Sequence, residues 1–315
     1  MDTYRSLTEL PEISASALAI GNFDGLHRGH QAVIDRLVNF ARSRDIPSAV
    51  LTFDPHPGQV LTPPGQPIKQ MIVMMERKLE LLDRCGVDLA LVLHFDLEFS
   101  QISAADFLSQ VIVANFKPRR IIVGYDHHFG NSRQGDAGFL NSHRDRYGYK
   151  VEVIAGVTAG NRAVSSTAIR ELLLAGKCVE AEQLLGWTYE ITGRVVRGAG
   201  RGAEIGFPTA NLLPDEPGQL VPRDGVYVVS ARIDQDTVFG MGNIGIRPTF
   251  NGEERSIEAH LFSPPVTDLY DQRIAIRFHH RLRDEKRFQD IKQLRKQLQQ
   301  DQKDSLNWIA EYQGG

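Results

Sequence analysis

The feature that most constrains the fold is a change of pattern near residues 186–189. Before it, short apolar runs alternate with longer segments of helical periodicity. The strand-like runs are 17–23, 49–53, 89–95, 120–124 and 150–154, and between them 30–44, 74–85, 104–115 and 138–147 repeat apolar residues at helical spacing. Strand, helix, strand at that cadence predicts a parallel sheet covered on both faces. After the change, 189–196, 225–233, 238–241, 257–262 and 273–278 are strand-like, with turn signals between them. That pattern predicts an all-β barrel or sandwich. The tail 286–312 turns helical again, with Phe288, Ile291, Leu294 and Leu298 as its expected apolar face. The expected architecture is thus an α/β Rossmann-like domain over 1–186 and a β-barrel domain with C-terminal helices over 187–315.

A length of 315 residues accommodates two domains, and 42% hydrophobic with 24% charged residues is ordinary for globular chains. The formal net charge of −3 gives no basis for bulk nucleic-acid binding. No apolar run reaches membrane-spanning length. The first sixteen residues carry Asp2, Glu9 and Glu12 and lack the basic region of a secretory signal. Cys85 and Cys178 are too few for a disulfide framework, so a reducing, cytoplasmic compartment is expected.

In a doubly wound sheet, ligands bind beyond the carboxyl ends of the strands. Three polar clusters fall there. The first is Gly21, Asn22, Phe23, Asp24 and Gly25, running on to His27 and His30, where a glycine-bounded turn opens a helix. Amides at a helix N-terminus attract anions, and glycine lets the backbone approach them. His27 and His30 can donate hydrogen bonds to phosphate oxygens as charge develops. Two other readings share this spacing: zinc ligation completed by Asp54 or His56, or an exposed pair without a role. The second cluster is Asp54-Pro55-His56-Pro57, and the third is Gly124-Tyr125-Asp126. A further phosphate candidate is Ser165-Ser166-Thr167 followed by Arg170, where the serines cap a helix and Arg170 supplies charge one turn in.

The β half has its own motifs. Gly198, Gly200, Arg201 and Gly202 suggest a tight loop whose amides face phosphate. Thr209 and Asn211 are neutral oxygen ligands two apart, placed by a strand on one face. Glu258 lies on the face opposite Ile257 and Ala259.

Together the motifs carry a resemblance. The His-x-Gly-His turn and Ser-Ser-Thr-x-x-Arg resemble the nucleotidyltransferase superfamily. GNFDGLHRGHQ, TFDPHP, VGYDHHFG and SSTAIRELL, followed by the GxGR loop, PTAN, NIGxRPTF and Glu-x-His, resemble bacterial bifunctional riboflavin kinase/FAD synthetases over nearly the whole chain. The resemblance implies phosphorylation of riboflavin to FMN in the second half, then adenylyl transfer from ATP to FMN in the first, giving FAD and pyrophosphate. It implies riboflavin, FMN and ATP as small-molecule partners and Mg²⁺ with the ATP. His27 and His30 would stabilise the reacting phosphates. Asn22, Asp24 and Asp126 would line the nucleotide and flavin site, with Asp54 and His56 near the flavin phosphate or the metal. Ser166, Thr167 and Arg170 would hold the triphosphate. Glu258 would take the proton from the riboflavin 5′-hydroxyl, a general-base role worth about 10²–10⁴-fold. Thr209 and Asn211 would hold Mg²⁺. His127 and His128 replace the Phe-Arg common in relatives, and Ala203-Glu204 replace Arg-Thr. These departures raise the possibility that one half is inactive, and a flavin-binding module without turnover is the reading from another functional class.

Overall fold

The protein is described here by a computed structural model covering every residue except 199–200, 234–235, 250–251, 263–267 and 315; of residues 201, 203, 247–249 and 252–254 it describes the backbone alone. Its contacts divide the chain into two compact units, Met1–Ser166 and Thr167–Gly315.

The first unit is built on a six-stranded sheet: β1 (Asp2–Tyr4), β2 (Ser16–Ile20), β3 (Ser48–Asp54), β4 (Leu89–His94), β5 (Pro118–Gly124) and β6 (Lys150–Ile154). The order is β1-β4-β3-β2-β5-β6 and every pairing is parallel. The helices α1 (Arg28–Arg44), α2 (Pro57–Val60) and α3 (Met75–Arg84) connect the early strands. Next, α4 (Ala104–Asp106) continues through a π-helical segment, Phe107–Val113, into α5 (Ala114–Phe116), and α6 (Ala137–Tyr147) leads to β6. Every residue of β2 is buried, as expected of a central parallel strand with both faces covered. Helix α1 lays Val33, Ile34, Leu37, Val38 and Ala41 onto the sheet, the i, i+4 stripe its sequence predicts. The strand order reverses between β2 and β5, so the crevice beyond their carboxyl ends is the topological switch point. A small hairpin, β7 (Thr158–Ala159) with β8 (Arg162–Ala163), precedes α7 (Ser166–Leu174).

In the second unit α8 (Cys178–Leu185) ends at Gly186, which adopts the left-handed conformation. Six antiparallel strands then close a barrel: β9 (Glu190–Val196), β10 (Ala210–Pro214), β11 (Gly225–Ile233), β12 (Asp236–Thr249), β13 (Gly252–Leu261) and β14 (Arg273–Arg283). The order around it is β10-β13-β12-β11-β14-β9, and β9 pairs back to β10. Closure removes the exposed strand edges.

Two expectations change. The expected glycine loop at 198–202 instead contains a single helical turn, α9 (Arg201–Glu204). The tail helix is α10 (Ile291–Gly314); Leu294 and Leu298 of the expected stripe are half-buried, and the buried residues Asp301, Ser305 and Ile309 continue the same face. Phe288 precedes the helix and Ile291 is 66% exposed. Arg283 reaches from β14 to both carboxylate oxygens of Asp301, at 2.8 and 2.6 Å, which lets a carboxylate sit within that face.

Candidate active sites

The turn after β2 is held open by its backbone. Gly25 has φ +83°, where a Cβ would press on the Ile72 side chain at 3.2 Å. Phe23 and Leu26 also take positive φ, and the Leu26 amide closes the turn onto the Phe23 carbonyl at 3.0 Å. His27 is the N-cap of α1: its Nδ1 accepts the His30 amide at 3.2 Å. That bond fixes the tautomer, because an accepting Nδ1 leaves the neutral ring's proton on Nε2. The His27 and His30 rings stack at 3.6 Å, and Phe23 meets His30 edge-on at 5.4 Å. Gly29 leaves room for this stack, since a Cβ there would lie 3.2 Å from the His27 ring. The Nδ1 of His30 is buried without a hydrogen-bond partner among the described residues. Burial, with smaller effects from His27 and Lys78, holds His30 well below its ordinary pKa, so the ring is neutral.

Around this turn the other clusters take distinct places. Asp24 is buried, and its Oδ1 accepts the Ile72 amide at 3.0 Å and the Val73 amide at 3.3 Å. Ser166 donates its hydroxyl to the Asp24 carbonyl at 2.9 Å, which ties the serine cluster to the turn. Asp54 ends β3 and lies 3.7 Å from Arg5. His56 caps α2, its Nδ1 accepting the Gly58 amide at 2.8 Å. Asp126 is exposed just beyond β5, the strand across the switch point. Among the described residues no three His, Cys, Asp or Glu gather as a zinc site requires.

In the barrel, strand register does the assembly. Glu258 of β13 lies opposite Asn211 of β10 on one side and Asn243 of β12 on the other. Directly opposite residues share a face, so the three form one row across three strands. Ile257 and Ala259 are buried and point the other way. The Thr209 hydroxyl donates to the Glu258 Oε2 at 3.4 Å. Gly198 leaves space for the Asn211 amide, with which a Cβ would collide. A cavity of about 390 Å³ is lined by Val195, Pro208, Thr209, His260, Phe262 and Tyr270, and of the residues above only Thr209 and Ala259 reach it.

Comparison with known proteins settles the relationship. Residues 10–168 match the FAD synthetase family and residues 185–309 match the riboflavin kinase family. A bifunctional riboflavin kinase/FMN adenylyltransferase of Pseudomonas fluorescens is 37% identical over 303 residues, covering 96% of each chain. The chain belongs to the bifunctional riboflavin kinase/FMN adenylyltransferases. A second such relative, from Escherichia coli K12, is 35% identical over 298 residues, with 94% of this chain and 93% of the relative covered. The crystal structure described as a macrolide-efflux protein from Streptococcus pneumoniae is 30% identical, with a TM-score of 0.88 and 97% and 98% of the two chains covered. Among the described residues no helix is long and apolar enough to cross a membrane. The chain makes FMN from riboflavin, and FAD from FMN, using ATP in both steps.

The residues singled out in the sequence take the following positions in the fold. Gly21, Asn22, Phe23, Asp24, Gly25, His27, His30, Ser165 and Ser166 share the FAD synthetase unit, and Thr167 and Arg170 continue the helix that Ser166 begins. Glu258, Thr209 and Asn211 meet in the barrel. Gly200 and the Arg201 side chain lie outside the described residues. The departures also find their settings. His127 stacks on Phe129, and burial pushes it down to about 4, so it serves as a neutral ring in an aromatic cluster. His128 and Glu204 are exposed. Two functional candidates carry no role predicted from the sequence. Asn243 opens the NIGxRPTF motif, and register sets it opposite Glu258. Lys78 is 4% exposed, on the same stripe of α3 as Leu81 and Leu82. A lysine at i, with buried leucines at i+3 and i+4, is the signal that exposes it.

Proposed function

We propose that the two reactions use two separate sites, with residues in the following roles. In the FAD synthetase unit the 21–30 turn receives the ATP phosphates on the α1 N-terminus. An oxygen of the FMN phosphate bonds to the α-phosphorus while the bond to the bridging oxygen breaks, and pyrophosphate leaves with the electron pair. The nucleophile is already ionised, so the protein aligns it and offsets charge. His27 donates from Nε2, the nitrogen its cap leaves protonated. His30 acts as a neutral partner whose proton affinity rises as phosphate arrives. Ser165, Ser166, Thr167 and Arg170 extend the phosphate grip, and Asp54, His56 and Asp126 face the flavin side. Asp24 works through Ile72 and Val73, since its carboxylate is already engaged by their amides.

In the kinase, Glu258 takes the proton of the riboflavin 5′-hydroxyl, whose oxygen attacks the γ-phosphorus of ATP. ADP leaves. Thr209 and Asn211 offer neutral oxygens beside the carboxylate, a donor set that suits Mg²⁺, and the ion would neutralise ATP phosphate charge there. Gly198, with Gly200 and Arg201, approaches the phosphates. The functional boundary falls near Gly186, where α8 ends before the first barrel strand. Free Cys85 and Cys178 agree with a reducing cytoplasm, and small molecules, not nucleic acids, are the partners.

The row Asn211–Glu258–Asn243, with the Thr209 hydroxyl turned to it, carries the reading. Glu258→Gln is expected to stop riboflavin phosphorylation while leaving FMN adenylylation intact, and His30→Ala to do the reverse. Equal loss of both activities in either variant would refute separate sites.

A further inference from the structure

The FAD synthetase unit holds a cation that its motifs do not explain. Lys78 is 96% buried, taking its 4% exposure, and its stem lies along the apolar stripe of α3 with Leu81 and Leu82. Its amide opens the helix by donating to the Met74 carbonyl at 2.9 Å. Just before Met74, Val73 and Ile72 are held by the Asp24 carboxylate, so the start of α3 is docked on the 21–30 turn. The ammonium therefore projects from a helix anchored to the phosphate turn. Among the described residues no hydrogen bond or ion pair holds it. Asp24, Asp54 and His30 are the groups within its electrostatic reach, and all three lie at the carboxyl rim of the sheet. Burial draws the ammonium down to about 8, and the two carboxylates draw it back up. Keeping an unpaired ammonium inside a protein is costly, and a methionine would fill the same stripe without that cost.

We propose that Lys78 is a catalytic cation of adenylyl transfer, meeting an anionic phosphoryl oxygen beside His30. The inference rests on the reading that the 21–30 turn holds the reacting phosphates. His30 and Lys78 converge on that oxygen: one presents a buried nitrogen without a partner, the other a buried positive charge. The oxygen belongs to ATP or to FMN, and the two sources separate experimentally.

Lys78→Met and Lys78→Gln remove the charge, the first keeping the apolar stem and the second a donor. Each is assayed in the full chain for FAD formation from FMN and ATP, with riboflavin phosphorylation as the internal control. The expected result is a fall in kcat/KM for FAD formation on the order of 10- to 100-fold, the worth of one charge-assisted hydrogen bond. Kinase activity stays at the wild-type level. Calorimetric affinities for FMN against riboflavin, and for ATP against adenosine, then name the phosphate. Loss of the FMN preference assigns the flavin phosphate, and loss of the ATP preference assigns the nucleotide. FAD formation within about 3-fold of wild type overturns the proposal. So does unfolding of the synthetase unit in both variants, because the lysine is then a structural cation. His30→Ala runs alongside: if it leaves FAD formation unchanged, the reading of the turn has failed, whereas its loss beside an active Lys78→Met condemns only the lysine.

Discussion

Gly29→Ala separates catalytic geometry from fold stability within one helix turn. A Cβ at position 29 would stand 3.2 Å from His27 Cε1 and Nδ1, tighter than ordinary contact. The ring must retreat by about 0.5 Å to restore normal packing. Stability should hardly respond. Alanine in place of glycine in a helix gains up to about 1 kcal/mol, and weakening the His27 cap loses a similar amount. The two nearly cancel. Activity has no such compensation, because in the proposed mechanism the same ring presents Nε2 to the phosphates. A displacement of 1 Å costs about 10²-fold in rate, so half of that predicts about a 10-fold fall in FAD formation. The assay measures FAD from FMN and ATP, FMN from riboflavin and ATP, and thermal unfolding of the same preparation. The expected outcome is slower FAD formation, unchanged FMN formation and a melting temperature near wild type. An unchanged FAD rate would refute the stacked-histidine geometry, and a parallel loss of both activities would point to misfolding.

The barrel offers two further tests. Asp301→Ala leaves the Arg283 fork without its carboxylate in a site where Asp301 is 2% exposed. A loss of about 3–5 kcal/mol is expected in urea unfolding, and a change under 1 kcal/mol would show that the pair contributes little. His279 is buried, with Ser230 at 2.9 Å, and burial, then the nearby Arg277 charge, pushes it down to about 4. The unfolded chain binds this proton near pH 6.5 and the folded barrel does not, so stability is lost as pH falls from about 6.5 toward 4, by at most about 3 kcal/mol. His279→Gln should flatten that acid-side slope by one proton, and an unaltered slope would place the titration elsewhere.

Periodicity made most of the architecture legible, because β2 to β5 and helix α1 bury their apolar runs and stripe. It failed where backbone bonds or single pairings decide. The strand β1 is three residues of polar character, visible only through its pairing with β4. Likewise β10 is short and proline-ended, and β12 runs through glycines that conceal its fourteen residues. The burial of Asp301 in α10 follows from Arg283, which lies outside the helix and leaves no mark on its periodicity. In the sites, the glycine turn at Gly25 was readable because local backbone creates it. Asn243 stands in the NIGxRPTF motif, but its place opposite Glu258 was not readable, since register across β12 and β13 sets it. Lys78 hid within an amphipathic pattern that treats every lysine as solvent-facing.

Separate sites within one chain can be tested by complementation. Glu258→Gln and His30→Ala proteins are supplied with riboflavin, ATP and Mg²⁺, alone and mixed, and the flavins are resolved over time. The account predicts neither FMN nor FAD from the first alone, FMN without FAD from the second alone, and FAD from the mixture. FAD at the wild-type rate from either variant alone, or no FAD from the mixture, would contradict it.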